Sequence, residues 1–171
     1  MAGRGLLHVP TPAQGDVLRY ICGLMKDDFT ASAMPDGDQL REMGQNTISE
    51  ALGIELTEVE HGRVVGRMPV DHRTHQPYGM LHGGASVVLA ETLGSVGSHF
   101  IAASRGKAAV GVEVNANHLR SVRSGWVHGT ATLHHEGGKI HVWHIDIRDD
   151  AGKPVCTSRL TVMLIPQPTA S

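Results

Sequence analysis

Apolar positions recur along this chain with two periods, one near 3.6 residues and one of 2, and their order sets out the elements. In residues 16–25 (DVLRYICGLM), Val17, Leu18, Ile21, Leu24 and Met25 are spaced as on one helix face. A second short helix is predicted from about residue 38 to 44. Asn46 is placed to cap a third, ISEALG, which Gly53 would end. From residue 54 the period becomes 2. IELTEVE (54–60) alternates, His61-Gly62 supplies a turn and RVVGRMPV (63–70) answers, so the pair reads as a hairpin. Residues 71–82 form a polar, turn-prone loop. Helical spacing then returns at Gly83 for about 20 residues, about 30 Å of helix. Beyond Ser104-Arg105-Gly106, strands are predicted at 107–117, 124–136, 139–149 and 154–165, separated by Gly137-Gly138 and Asp150-Ala151-Gly152 among other turns.

The order is a hairpin, one long helix, then a meander of three or four strands. One helix cannot cover both faces of such a sheet, but an antiparallel sheet can wrap one central helix. The predicted class is therefore α+β. Residues 1–45 read as an N-terminal extension, a loose tail rich in Gly, Pro and Ala followed by short helices. Residues 46–166 form the main domain and 167–171 a short tail.

Composition narrows the partners. A chain of 171 residues with 40% hydrophobic residues and a formal charge of −2 fits one globular domain with a real core. It has no Lys/Arg-rich run to follow a phosphate backbone, so nucleic acid is not an expected partner. Cys22 and Cys156 are far apart and form no CxxC, as expected of reduced thiols. No stretch approaches 18 continuous apolar residues, and the start MAGRGLLHVPTPAQGD shows neither an h-region nor a cleavage site. The expectation is a cytoplasmic protein with no membrane span. His134, His135, His141 and His144 invite a metal reading, but on strands each pair faces opposite sides, and no Cys or acidic cluster completes a tetrahedral set. No metal is expected.

The chemistry concentrates in residues 71–103. The long helix is small or apolar nearly all the way round, which predicts a buried helix. Between Gly83 and Ala103 its only ionisable residues are Glu91 and His99. A carboxylate in such a helix is costly unless something compensates it, so Glu91 calls for a function. His82, Gly83 and Gly84 fall at the helix start, where N–H groups lack helical partners and the dipole is positive. A glycine there lets a ligand carbonyl come close, and such a terminus can stabilise an oxyanion. Glu91 lies about 12 Å further along the axis, too far for one chain to bring both groups to one carbon. Two such helices packed antiparallel across a dimer would place one chain's Glu91 near the other's helix start. Ser95 is one turn beyond Glu91 on the same face. Gly94 and Gly97, each costing about 1 kcal/mol against Ala in a helix, imply that another backbone packs closely there.

The spacing Gln76-x2-Gly79-x2-His82-Gly83-Gly84-Ala85, then Ala90-Glu91 and Ser95, resembles the hotdog-fold acyl-CoA thioesterases of the phenylacetate-pathway type. That group includes the 4-hydroxybenzoyl-CoA thioesterase with a catalytic glutamate, the 1,4-dihydroxy-2-naphthoyl-CoA thioesterase and the enterobactin proofreading thioesterase. The resemblance covers about residues 52–165 and implies a hotdog fold with its site at a dimer interface. It implies Glu91 as nucleophile or general base and the Gly83 N–H as oxyanion donor. Gln76 and His82 would orient the thioester, Ser95 would position water, and Gly84 would join the CoA contacts. Lys139 stands where some relatives carry a Ser or Thr that contacts the CoA arm. Lys139, Arg120 and Arg123 are candidates to meet CoA phosphates. No cofactor is expected, CoA being part of the substrate. The expected partners are an acyl-CoA, with an aryl or arylacetyl group ahead of a medium-chain one, and further copies of the chain, as a dimer or dimer of dimers. Two rivals remain on the same fold, a hydratase/dehydratase and a non-catalytic acyl-CoA-binding domain.

Overall fold

Residues 83–103 fold as one uninterrupted helix lying against an antiparallel sheet. The structure, a computed structural model, describes residues 37–167. The helix predicted at 16–25 lies outside the described residues. In chain order the elements are α1 (Gly37–Gly44), α2 (Ile48–Leu52), β1 (Glu55–Glu60), β2 (Arg63–Pro69), β3 (His75–Gln76) and β4 (Met80–Leu81). There follow α3 (Gly83–Ala103), β5 (Lys107–His118), β6 (Trp126–Glu136), β7 (Ile140–Asp149) and β8 (Pro154–Pro166). The helices and long strands predicted within the described residues are present to within a residue or two. The α2 cap is displaced by one residue from the expectation. Thr47, not Asn46, accepts the Ser49 N–H on its side chain, while Asn46 takes a positive φ of 57° and its N–H donates to Glu50. Gly53 closes α2 in the left-handed conformation, as expected.

The main sheet has the order β1-β2-β6-β7-β8-β5. The meander is thus β6-β7-β8 alone. β5 does not join β6 but pairs with β8, from Lys107↔Pro166 to His118↔Cys156, and becomes the far edge. β6 instead completes the sheet beside β2. The chain therefore leaves β2, passes along α3, runs down the far edge and returns through residues 119–125 to the centre. That return segment passes the start of α3, and the site is built there.

The face α3 buries is set by two adjacent rows of side chains. Ala85, Leu89, Leu93, Gly97 and Ile101 form one row at four-residue spacing, and Ser86, Ala90, Gly94, Ser98 and Ala102 form the next. By length and composition α3 would also pass as a membrane span, yet these ten residues are buried inside the protein. They pack on Val64, Met68, Val127, Trp143, Ile145 and Leu160 of the sheet, among others. Gly94 and Gly97 are needed for this packing. A Cβ on Gly94 would lie 2.6 Å from Leu160 Cδ2, and one on Gly97 2.6 Å from Trp143 Cζ2. The close neighbour is an aromatic ring and a leucine of the same chain, not a second backbone as the sequence suggested.

The same contact buries polar atoms. Trp143 Nε1 donates to Ser98 Oγ (2.7 Å), which also bonds His141 Nδ1 (3.1 Å). His141 is fully buried and its Nε2 has no partner among the described residues. His141 thus faces the core while His144, three residues on, is exposed, as the strand period requires. At the end of β6 a bulge lies between Leu133 and His135, and His134 and His135 are both exposed.

The expectation that α3 is buried all round is corrected. Its other face is open in the single chain, and Glu91 is exposed there. The error has a physical cause: Val87, Val88, Val96 and Phe100 lie off the two buried rows, so sequence periodicity could not separate the faces.

Two outcomes follow. Gly97→Ala is expected to destabilise the fold, because overpacking against the indole costs about 1–3 kcal/mol and outweighs a helix-propensity gain of about 1 kcal/mol. Gly138→Ala, with open space around it, should leave the denaturant midpoint almost unchanged. If Gly97→Ala is as stable as wild type, this packing account is wrong. Burial also pushes His99 and His141 below the ordinary imidazole value of 6.5. The unfolded chain then takes up protons first, so stability is at its full value above pH 6.5 and declines as the pH falls below it. Denaturant titrations at pH 7.5, 6.5 and 5.5 check this, and identical midpoints at all three would contradict it.

Candidate active site at the start of the long helix

The loop ahead of α3 is ordered by its own short hydrogen bonds. Thr74 is buried and its hydroxyl donates to the Pro69 carbonyl (2.8 Å), while its carbonyl accepts from the His82 N–H (2.8 Å). Asp71 accepts from the side chain and N–H of Arg73, which hold its carboxyl down to about 2. β3 and β4 form a miniature hairpin that the sequence showed only as loop. Its turn places Pro77 at the second position and closes with Gly79 N–H donating to Gln76 O (2.9 Å). Gly79 has a φ of 68°, the left-handed region that glycine enters without strain.

His82 is the N-cap of α3. Its Nδ1 accepts the Gly84 N–H at 2.8 Å, so Nδ1 carries no proton and the neutral ring holds its proton on Nε2. This bond also occupies the Gly84 N–H, so that group does not serve a ligand. The Gly83 N–H remains one of those the helix cannot satisfy itself.

A cleft of about 330 Å³ opens at this terminus. One wall is Gln76, Met80 and Leu81 from the hairpin, and the floor is Gly83 and Ser86 from the helix. The return segment supplies the other wall, His118 to Ser121. The structure therefore brings Gln76, Gly83 and Arg120 together. It adds two residues the sequence reading missed. Ser86 is buried on the cleft floor. His118 lies against Gly83, with Nε2 2.7 Å from where a Cβ would stand. No local signal marks His118. It reaches Gly83 because the end of β5 turns back beneath the helix start.

The remaining candidates lie elsewhere. Arg123 does not line the cleft; its Nη1 donates to the carbonyls of Tyr78 (3.2 Å) and Gly79 (3.4 Å). Lys139 is in the β6–β7 turn, beside Lys107 and so by the far end of α3, about 30 Å along the helix. It does not reach this chain's cleft. Glu91 is also outside the cleft, on the open face of α3 one turn before Ser95. Its carboxylate sits over β5, with Oε1 2.7 Å from where Gly111 would carry a Cβ. A glycine inside a strand marks a bulge or a close approach, and here it marks both: the β5–β8 register shifts between Gly111 and Glu113, and the Glu91 carboxylate lies against Gly111. Among the described residues no three of His, Cys, Asp and Glu are grouped to hold a metal ion.

The profile of the thioesterase superfamily matches residues 78–156, which include the end of the hairpin, all of α3 and the return segment. The 1,4-dihydroxy-2-naphthoyl-CoA hydrolase of Escherichia coli is 43% identical over 128 residues, covering 75% of this chain and 93% of that protein. The chain belongs to the thioesterase superfamily. Among solved structures, a mutant of thioesterase PA1618 from Pseudomonas aeruginosa superposes with a TM-score of 0.75 at 47% identity, over 79% of this chain and 97% of the other. The E. coli PaaI protein from the phenylacetic acid degradation operon gives 0.65 at 28% identity, over 73% and 89%. The fold is the hotdog fold of these thioesterases, with the antiparallel sheet around one long helix, and the chain is a thioester hydrolase acting on acyl-CoA.

Within this thioesterase the Glu91–Gly111 contact is testable. Gly111→Ala displaces the carboxylate while leaving β5 intact, so if Glu91 is the nucleophile or general base that the family resemblance implies, thioester hydrolysis falls by about tenfold or more with an unchanged circular dichroism spectrum. Full activity in that variant would show that the position of Glu91 over β5 does not matter.

Proposed function

We propose that this protein hydrolyses an aromatic acyl-CoA at a site shared between two copies of the chain, with Glu91 of one copy acting at the cleft of the other. One observation carries the reading: among the described residues the helix start and its cleft contain no carboxylate, while Glu91 lies eight residues on, facing out of the single chain. The thioester carbonyl oxygen takes the Gly83 N–H, with the positive end of the helix behind it. Gln76 lines the cleft and orients the thioester. The Glu91 carboxylate either attacks the carbonyl carbon, expelling the thiolate to give a mixed anhydride that water then hydrolyses to the acid and the free carboxylate, or takes a proton from the water that attacks directly. The C–S bond breaks, CoA leaves as thiolate, and the acid is released. Ser95, on the same open face, is placed to hold that water.

The sheet edges support a second copy on this side. β1 carries Glu55, Glu58 and Glu60, the first two paired with Arg67 and Arg63, a charged edge that resists pairing. β5 exposes Val110 (47%) and Val112 (55%) instead, directly beside Glu91. A copy set antiparallel across β5 covers the open face of α3 and puts each Glu91 near the other's helix start. For the acyl group, the support is the likeness to a hydrolase of a naphthoyl thioester and a cleft within the usual range for small-molecule sites. Arg120, on the cleft wall, is placed to meet a CoA phosphate.

The experiment is release of free thiol from a panel of acyl-CoAs. Aryl-CoA turnover is expected, falling by about 10²- to 10⁴-fold in Glu91→Gln. Mixed dimers of Glu91→Gln with Gly83→Val should regain part of the activity, since one of their two sites is intact. No regain, with heterodimers demonstrated by mass, would place both groups in one chain.

A further inference from the structure

The cleft has two walls that come from separate parts of the sequence, and one side chain outside the cleft ties them together. The hairpin wall, residues 76–81, and the return wall, residues 118–121, are not neighbours in the sheet order. Three cross-links join them. The Leu81 N–H donates to the Val122 carbonyl (2.8 Å). His75 Nε2 bonds the Arg123 carbonyl (3.1 Å), and since a carbonyl only accepts, that nitrogen carries the proton. Arg123 in turn reaches back, Nη1 bonding the carbonyls of Tyr78 and Gly79. Backbone and side chain of Arg123 thus grip the hairpin on both sides of Gln76, at His75 before it and at Tyr78 and Gly79 after it.

We infer that Arg123 is a positioning residue, a clamp that fixes the Gln76 turn against the return wall and so sets the width of the thioester cleft. The inference rests on the functional reading above for its kinetic consequence, but not for its structural one. It also reassigns Arg123. As a phosphate contact it would present its charge to solvent and ligand. Here the side chain is exposed, but one guanidinium nitrogen, Nη1, donates to two successive carbonyls of the hairpin turn, a bridge that a lysine ammonium on a flexible stem holds less rigidly. The hairpin has need of such a clamp. It is only two residues on each strand, and Tyr78 at its tip is 78% exposed, so few packed contacts hold it.

The test compares wild type with Arg123→Ala and Arg123→Lys, using an aryl-CoA and the matching aryl-pantetheine thioester, which lacks the nucleotide phosphates. Amide hydrogen exchange of residues 76–82 is measured on the same proteins. The clamp predicts that kcat falls by about 10- to 100-fold in both variants and with both substrates, while KM changes by less than about threefold. Exchange in residues 76–82 should quicken by about tenfold or more, with α3 and β6–β8 unchanged. A rise in KM confined to the CoA ester and repaired by Arg123→Lys would make Arg123 a phosphate contact and overturn the proposal. So would unaltered exchange in residues 76–82, or a loosening spread through the whole sheet. If wild type hydrolyses no thioester, the functional reading fails, and the exchange measurement alone decides the clamp.

Discussion

The distance between α3 and the sheet is set by Trp143 and the two glycines opposite it, and the other features of the molecule depend on that distance. An indole lying on a helix at Gly94 and Gly97 brings the helix axis closer than any side chain would allow. The close approach also brings Ser98 within reach of both Trp143 and His141, so the buried polar groups are largely satisfied by the packing that buries them. With one face of α3 held this tightly, the opposite face is fixed in direction. Glu91 and Ser95 are presented outward because their neighbours on the two inner rows cannot turn.

The start of the same helix is fixed by different means. Thr74 holds the chain as it leaves β2 and enters α3, and His82 caps the first turn with its own imidazole. The hairpin between them is small and exposed, and it depends on bonds from the return segment. Gly83 lines the cleft, with His118 lying against it. Gly83 and Glu91, the groups proposed for oxyanion stabilisation and for acid–base chemistry, lie on the same helix but eight residues apart and on different exposures. A rigid helix cannot bend to bring them together. The edge of β5 exposes Val110 and Val112, unlike the β1 edge with its glutamates, and it is on this difference that the proposed second copy is placed.

Much of this was legible from residues alone. Period-2 and helical spacing located the described long strands and helices, and the loop-helix motif around His82-Gly83-Gly84 pointed to the right chemistry and family. The eight-residue offset of Glu91 followed from helix geometry. Other features were invisible for identifiable reasons. The hairpin of β3 and β4 is too short to show a period. The pairing of β5 with β8 rather than β6 is a contact between distant segments, which local patterning does not specify. The burial of Glu91 was misjudged because apolar residues occupy both faces of α3, one set against the sheet and the other left uncovered.

The sequence by itself determined the elements of the described residues, their order and the family, because each rests on short-range spacing and on residue types with strong local preferences. The tertiary structure alone decided which face of α3 is open, that His118 and Ser86 join the cleft, and that Arg123 grips the hairpin while Lys139 lies at the opposite end of the helix. Those facts depend on where the chain returns after β5. That path is selected by the packing of the whole core around Trp143, which no local stretch of the sequence encodes.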